Sequence, residues 1–103
     1  MLVALMLMLA APAGDNSARA EFTDCVKGTL TRAAAAKIDA AGYAAFARET
    51  CATATSGFRA ALIDYDMKAG WTRKKAEPDA DQQIGDYVDE MSDRYKDQQT
   101  AAK

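Results

Sequence analysis

The sequence predicts an all-α fold, a disulfide-stapled antiparallel helical hairpin with a third helix packed on the long central helix. Three observations carry that prediction. Alanine dominates residues 33–61 while β-branched and aromatic residues are sparse, which favours helix over strand. Apolar residues recur at spacings of three and four along most of the chain. The only two cysteines, Cys25 and Cys51, stand at equal distances from a tight junction between two helical patterns.

The elements follow from the amino terminus. Residues 1–10, MLVALMLMLA, carry no charged or polar side chain. A helix of that length spans roughly 15 Å, about half the hydrocarbon core of a bilayer. That is short for a membrane span and suited to the apolar core of a signal peptide. Small-residue cleavage motifs follow at Ala11-Pro12-Ala13 and Ala18-Arg19-Ala20. The chain therefore divides into a signal peptide over 1–20, cleaved after Ala13 or Ala20, and a single small helical domain over 21–103. No Lys or Arg precedes the apolar run, so the terminal amine supplies the only positive charge there. Removal of residues 1–20 leaves 83 residues and a net charge of −2, because Asp15 and Arg19 offset each other. A domain this small buries a modest core and calls for covalent or oligomeric support.

The first helix is expected from about Glu21 to Lys37, with Phe22, Val26, Thr29 and Ala33 on one face. Asp39 is the natural N-cap of the next helix, with Ala40 and Ala41 as its first turn. Cys25 lies thirteen residues before Ile38 and Cys51 thirteen after it. In an antiparallel hairpin, positions equidistant from the turn sit side by side, so the two sulfurs are placed to meet. The same register sets Phe22 against Ala54, Thr29 against Ala47 and Ala33 against Tyr43. Closing a loop of this length contributes about 3.5 kcal/mol in the chain-entropy picture.

Beyond Cys51 the stripe continues through Ala54, Phe58, Ala61, Leu62 and Tyr65. Thr53, Thr55, Ser56 and Gly57 are weak helix formers and put any kink near Gly57. Gly70 suits the left-handed position after the helix, with Trp71 folding back toward Asp66 or Tyr65. Residues 72–77 read as a polar connection, and Pro78 as the first position of the third helix, with Asp79 and Asp81 at its positive end. Arg73, Lys74 and Lys75 then follow the negative end of the central helix. Ile84, Val88, Met91 and Tyr95 form the third helix's seam, which ends near Gln98. This helix is expected along the distal half of the central one and the first helix along the proximal half. All three meet around Cys51, Ala54 and Phe58.

Chemistry is constrained by what the chain lacks. It has no histidine and no third cysteine, so the usual donors for zinc or haem are missing, as is a C-x-x-C redox motif. Cys25 and Cys51 are therefore read as a structural disulfide of an oxidising compartment. Asp79, Asp81 and Glu90 imitate positions 1, 3 and 12 of a calcium loop, but Ile84 replaces its required glycine and Asp86 its apolar residue. Asp89, Asp93 and Asp97 lie off the apolar seam and read as a solvated face, and Glu90 has Arg94 as an i+4 partner. The basic run 73–75 is diluted by Glu77, Asp79 and Asp81. There is no Gly-rich phosphate loop and no nucleophile with a base. The sequence assigns no catalytic residue, cofactor or metal ligand, and reads as a protein that is not an enzyme.

In size and composition the chain is similar to small periplasmic helical proteins, among them acid-stress chaperones that carry one disulfide. The expectation is a periplasmic or secreted, noncatalytic protein-interaction module. Its partner would be another protein or a second copy of itself. Near-neutral charge argues against nucleic acid, and no stable membrane anchor is expected once residues 1–20 are removed. The alternative is a periplasmic stress protein, a chaperone activated when acid protonates the carboxylates.

Overall fold

Helix α1 spans Gly14–Ala35 and buries Phe22, Val26, Thr29 and Ala33, the face that the spacing predicts. The computed structural model describes residues 14–102. The apolar run and the Ala13 cleavage motif lie outside the described residues. α1 begins seven residues before the predicted start. It ends in a Schellman motif: the Lys37 N–H donates to the Ala34 carbonyl at 3.1 Å and the Ile38 N–H to the Ala33 carbonyl at 3.0 Å. Lys37 occupies the left-handed position at φ 57°.

The turn at Ile38 and Asp39 falls where the sequence places it. Asp39 Oδ1 accepts from the Gly42 N–H at 2.8 Å and caps a 3₁₀ turn, Ala40–Gly42. A Cβ at Gly42 would stand 3.0 Å from that oxygen, so a larger residue would crowd the capping carboxylate. α2 follows over Tyr43–Thr50.

The central strut is bent at Cys51, not near Gly57. Cys51 leaves helical geometry (φ −104°, ψ 24°), and α3 resumes over Ala52–Lys68 with Gly57 in its interior. Hydrogen bonds of helical spacing still cross the break, from the Cys51 N–H to the Ala47 carbonyl and from the Thr55 N–H to the Cys51 carbonyl, both 2.9 Å. The Thr55 hydroxyl also donates to the Cys51 carbonyl at 2.8 Å. Such back-bonding by Thr bends helices.

α3 also ends in a Schellman motif. The Gly70 N–H donates to the Met67 carbonyl and the Trp71 N–H to the Asp66 carbonyl, both 3.0 Å, with Gly70 at φ 104°. The Trp71 ring is partly covered at this helix end. It stays 37% exposed, with Lys75 Nζ 4.5 Å from its centroid, while Tyr65 is 62% exposed.

The last helix, α4, spans Arg73–Ala101 and starts five residues before Pro78. Thr72 is its N-cap, its hydroxyl accepting from the Lys75 N–H at 3.3 Å. Pro78 therefore lies inside the helix, where the missing N–H and ring clash cost on the order of 3 kcal/mol. Burial offsets that cost: Ala76 and Ala80 are fully buried and carry the seam of Ile84, Val88, Met91 and Tyr95 to the start of the helix. The basic run 73–75 consequently stands in the first turn of α4, at its positive end. Arg73 pairs one turn on with Glu77 at 3.6 Å.

At 29 residues α4 is about 43 Å long and runs the full height of the molecule. Arg59 of α3 meets Asp81 at 2.6 Å near one end. Tyr43 of α2 stacks on Tyr95 at 4.8 Å between centroids near the other, and the Tyr95 hydroxyl donates to the Ile38 carbonyl in the first turn. The third helix thus covers both halves of the bent strut rather than its distal half alone. α1 packs on the strut and on α4, and a single core of Phe22, Val26, Tyr43, Phe58, Leu62, Val88, Met91 and Tyr95 joins all four helices. Among the described residues there is no strand.

Candidate functional site

Cys25 and Cys51 are joined, with their Cα atoms 5.9 Å apart. Cys51 is fully buried and Cys25 half-buried. Two contacts bracket the bond, each one helical turn from the residue that the register sets opposite: Phe22 stacks on Phe58 at 5.1 Å rather than meeting Ala54, and the Thr29 hydroxyl is 2.8 Å from that of Tyr43 rather than facing Ala47. The cysteines sit in the packed middle of the bundle and act as a staple.

Thr29 and Tyr43 are the buried hydroxyls nearest to the staple. The Thr29 hydroxyl donates to the Val26 carbonyl at 2.5 Å, and Tyr43 reaches the same carbonyl at 3.3 Å. Burial, aided by the neighbouring Tyr95, pushes the Tyr43 phenol above its ordinary value, against the lowering effect of its bond to Thr29. A phenol held protonated against a backbone carbonyl is a core hydrogen bond, not an activated nucleophile.

Asp89, Asp93 and Asp97 are exposed, as their positions off the seam require, and Glu90 meets Arg94 at 3.7 Å. Among the described residues, no three His, Cys, Asp or Glu side chains converge as a metal site. No described helix is long and apolar enough to cross a membrane.

The feature without a structural explanation is the tip where α3 turns into α4. Hairpin register sets Gly14 opposite Leu62, since each lies twenty-four residues from Ile38. Beyond that height α3 and α4 pack on each other past the described end of α1. Among the described residues, Tyr65, Met67 and Trp71 are the large apolar side chains left exposed, at 62%, 40% and 37%. Lys68, Arg73, Lys74 and Lys75 lie in the same stretch; Lys68 pairs with Asp64 at 3.0 Å and Arg73 with Glu77 at 3.6 Å, while Lys75 lies over the Trp71 ring. Beside the tip, a groove of about 350 Å³ has Arg59, Ile63, Asp64, Met67 and Arg73 among its lining residues, charges of both signs. A second groove, of about 280 Å³, lies between α1 and α4.

Sequence reasoning spread the basic run along a linker, whereas residues 73–75 open α4. The signal was Thr72, a strong N-cap residue immediately before three cations. Of the two cleavage positions, only that after Ala13 keeps Arg19, whose guanidinium lies over the Phe58 ring at 4.9 Å.

Fold and site together define an all-α, disulfide-linked helical bundle with an exposed apolar and basic tip. No family model matches the chain, and comparison with curated proteins and with solved structures finds no match.

Proposed function

We propose that the chain is a noncatalytic protein-interaction module of an oxidising compartment, periplasmic or secreted, and that the α3–α4 tip meets an acidic partner protein. One observation carries the reading: Tyr65, Met67 and Trp71 are each exposed within the seven residues that lead from α3 into the turn, and Lys75 Nζ lies 4.5 Å from the Trp71 centroid. Aromatic and Met side chains are favoured at the centre of interfaces, and Lys74 and Lys75, which form no ion pair among the described residues, favour a partner of opposite charge. The disulfide supports the compartment, because such bonds persist where thiols are oxidised. The apolar run 1–10 and the alanine motifs after it support export.

The test is a photo-crosslinking residue at Met67 in cells, followed by binding of the identified partner to the purified chain. Trp71→Ala should weaken that binding at least tenfold, and the pair Lys74→Glu, Lys75→Glu should weaken it further at low salt than at high salt. Binding indifferent to all three changes would remove the tip from the account. Light scattering that shows a dimer dissolved by Trp71→Ala would replace the acidic protein with a second copy.

An acid-activated chaperone is the second reading. The Arg59–Asp81 pair joins α3 to α4, and hydrogen bonding to Arg59 holds the Asp81 carboxyl below its ordinary value. Protonation releases that link. Suppression of aggregation of a model client below about pH 4, absent at pH 7, is the expected result; activity at neither pH eliminates this reading.

A further inference from the structure

The groove between α1 and α4 has a chemistry that neither the core nor the tip uses. Its floor is aromatic: Phe22 stacks on Phe58 and meets Tyr87 at 5.5 Å between centroids, tilted 57°. Its α4 wall carries Asp86 and Glu90, carboxylates one turn apart. Glu90 is shared with Arg94, and Asp86 has no ion-pair partner among the described residues. The surroundings are negative, since Glu90 and Asp24 reinforce burial in raising the Tyr87 phenol, with Arg94 opposing. Into this space the chain places one cation of its own. The Arg19 guanidinium lies 4.9 Å from the Phe58 centroid, within cation–π range, and forms no ion pair among the described residues.

We propose that this groove is a binding site for a guanidinium group from outside the chain, that Arg19 fills it from within, and that withdrawal of Arg19 opens it. The internal contact shows the recognition chemistry already assembled: a delocalised planar cation on an aromatic face, beside carboxylates that match a guanidinium fork. Arg19 satisfies only the ring. An external arginine takes the ring and reaches Asp86 as well. Two sources supply that group, an arginine side chain of a partner polypeptide or a free guanidino compound. Cleavage after Ala13 keeps Arg19 in the chain and cleavage after Ala20 removes it, so the processing position sets whether the groove is filled. The site lies apart from the tip and does not depend on the reading of it.

The test is an NMR titration of the exported, oxidised chain with N-acetyl-argininamide, N-acetyl-lysinamide and an Ala-Arg-Ala peptide. Amides of Thr23, Phe58, Gln83 and Tyr87 should respond to the arginine compounds. An exposed cation–π contact is worth about 0.5–1 kcal/mol, so removing the internal competitor with Arg19→Ala should tighten binding about three- to sixfold. Asp86→Asn should weaken it about fivefold, and the lysine compound should bind more weakly than the arginine one. Tighter binding of the peptide than of the amide identifies a polypeptide source, and equal binding a free compound. Unchanged affinity in Arg19→Ala, equal affinity for lysine, or responses confined to other regions would overturn the proposal. Arg19→Lys preserves a long cationic side chain in α1. It should give an intermediate affinity even if Arg19→Ala perturbs the helix.

Discussion

Lys37 and Gly70 hold the same place in two helix ends, and only one of them is a glycine. Both sit in the left-handed region, at φ 57° and φ 104°. An L-residue with a Cβ pays about 1–2 kcal/mol there, and glycine does not. Lys37→Gly should therefore stabilise the domain by about 1 kcal/mol, raising Tm by about 4–8 °C by calorimetry. Gly70→Ala should lower it by a similar amount through backbone strain alone, since a Cβ there meets nothing within 4 Å. Gly70 was legible in the sequence because glycine carries a backbone signal. Lys37 was not, because its side chain says nothing about φ. The buried hydroxyls were half legible: the hairpin register brings residues 29 and 43 to neighbouring heights. That Thr29 bonds Tyr43 and Val26 depends on side-chain directions no spacing encodes.

At the scale of elements, the staple and the start of α4 make opposite lessons. The cysteine register was readable because a two-helix hairpin has one degree of freedom, the position of its turn. Reduction, or Cys25→Ser with Cys51→Ser, should lower stability by about 3.5 kcal/mol and Tm by more than 10 °C. An unchanged melt in reductant would deny the staple its weight. The start of α4 was misplaced because Pro78 looks like a first-turn residue. Thr72 and the fully buried Ala76 and Ala80 outweigh that local preference. The two placements are separable. Pro78→Ala should stabilise the domain by roughly 1–3 kcal/mol in urea unfolding, because it restores an N–H to the Lys74 carbonyl inside a helix. A proline at the first helical position would give no such gain. Thr72→Ala should cost about 1 kcal/mol by loss of the cap.

For the whole molecule, α4 ties the two ends of the bent strut to each other, and its contacts set how stability depends on pH. Asp81 has a lowered folded-state pKa because Arg59 donates to it. Its contribution is present above the unfolded carboxyl value, about 4, and fades as pH falls through the folded value. The pair is exposed, so Asp81→Asn should only soften the acid limb of the stability curve. Tyr43 and Tyr87 are raised, first of all by burial. Their contribution is complete below the unfolded phenol value, about 10, and is lost as pH climbs through the folded values. Urea midpoints should therefore hold steady through neutral pH and fall above about pH 10, with phenolate absorbance rising in the same range. With the exposed Tyr65 replaced (Tyr65→Phe), phenolate formation well before any loss of helix would contradict burial of these rings.

Periodicity and alanine content were enough for the all-α class, the turn at Ile38, the buried faces of α1 and α4 and the cysteine pair, because each depends on short-range spacing around a helix or a turn. Packing decided the rest. The bend fell at Cys51, where the Thr55 hydroxyl draws on its carbonyl. α4 grew to full length because two alanines fit against α3. The basic tip and the Arg19 groove arose from helices meeting far apart in sequence. Such meetings follow from the shapes and charges of whole faces, which no local stretch of residues contains.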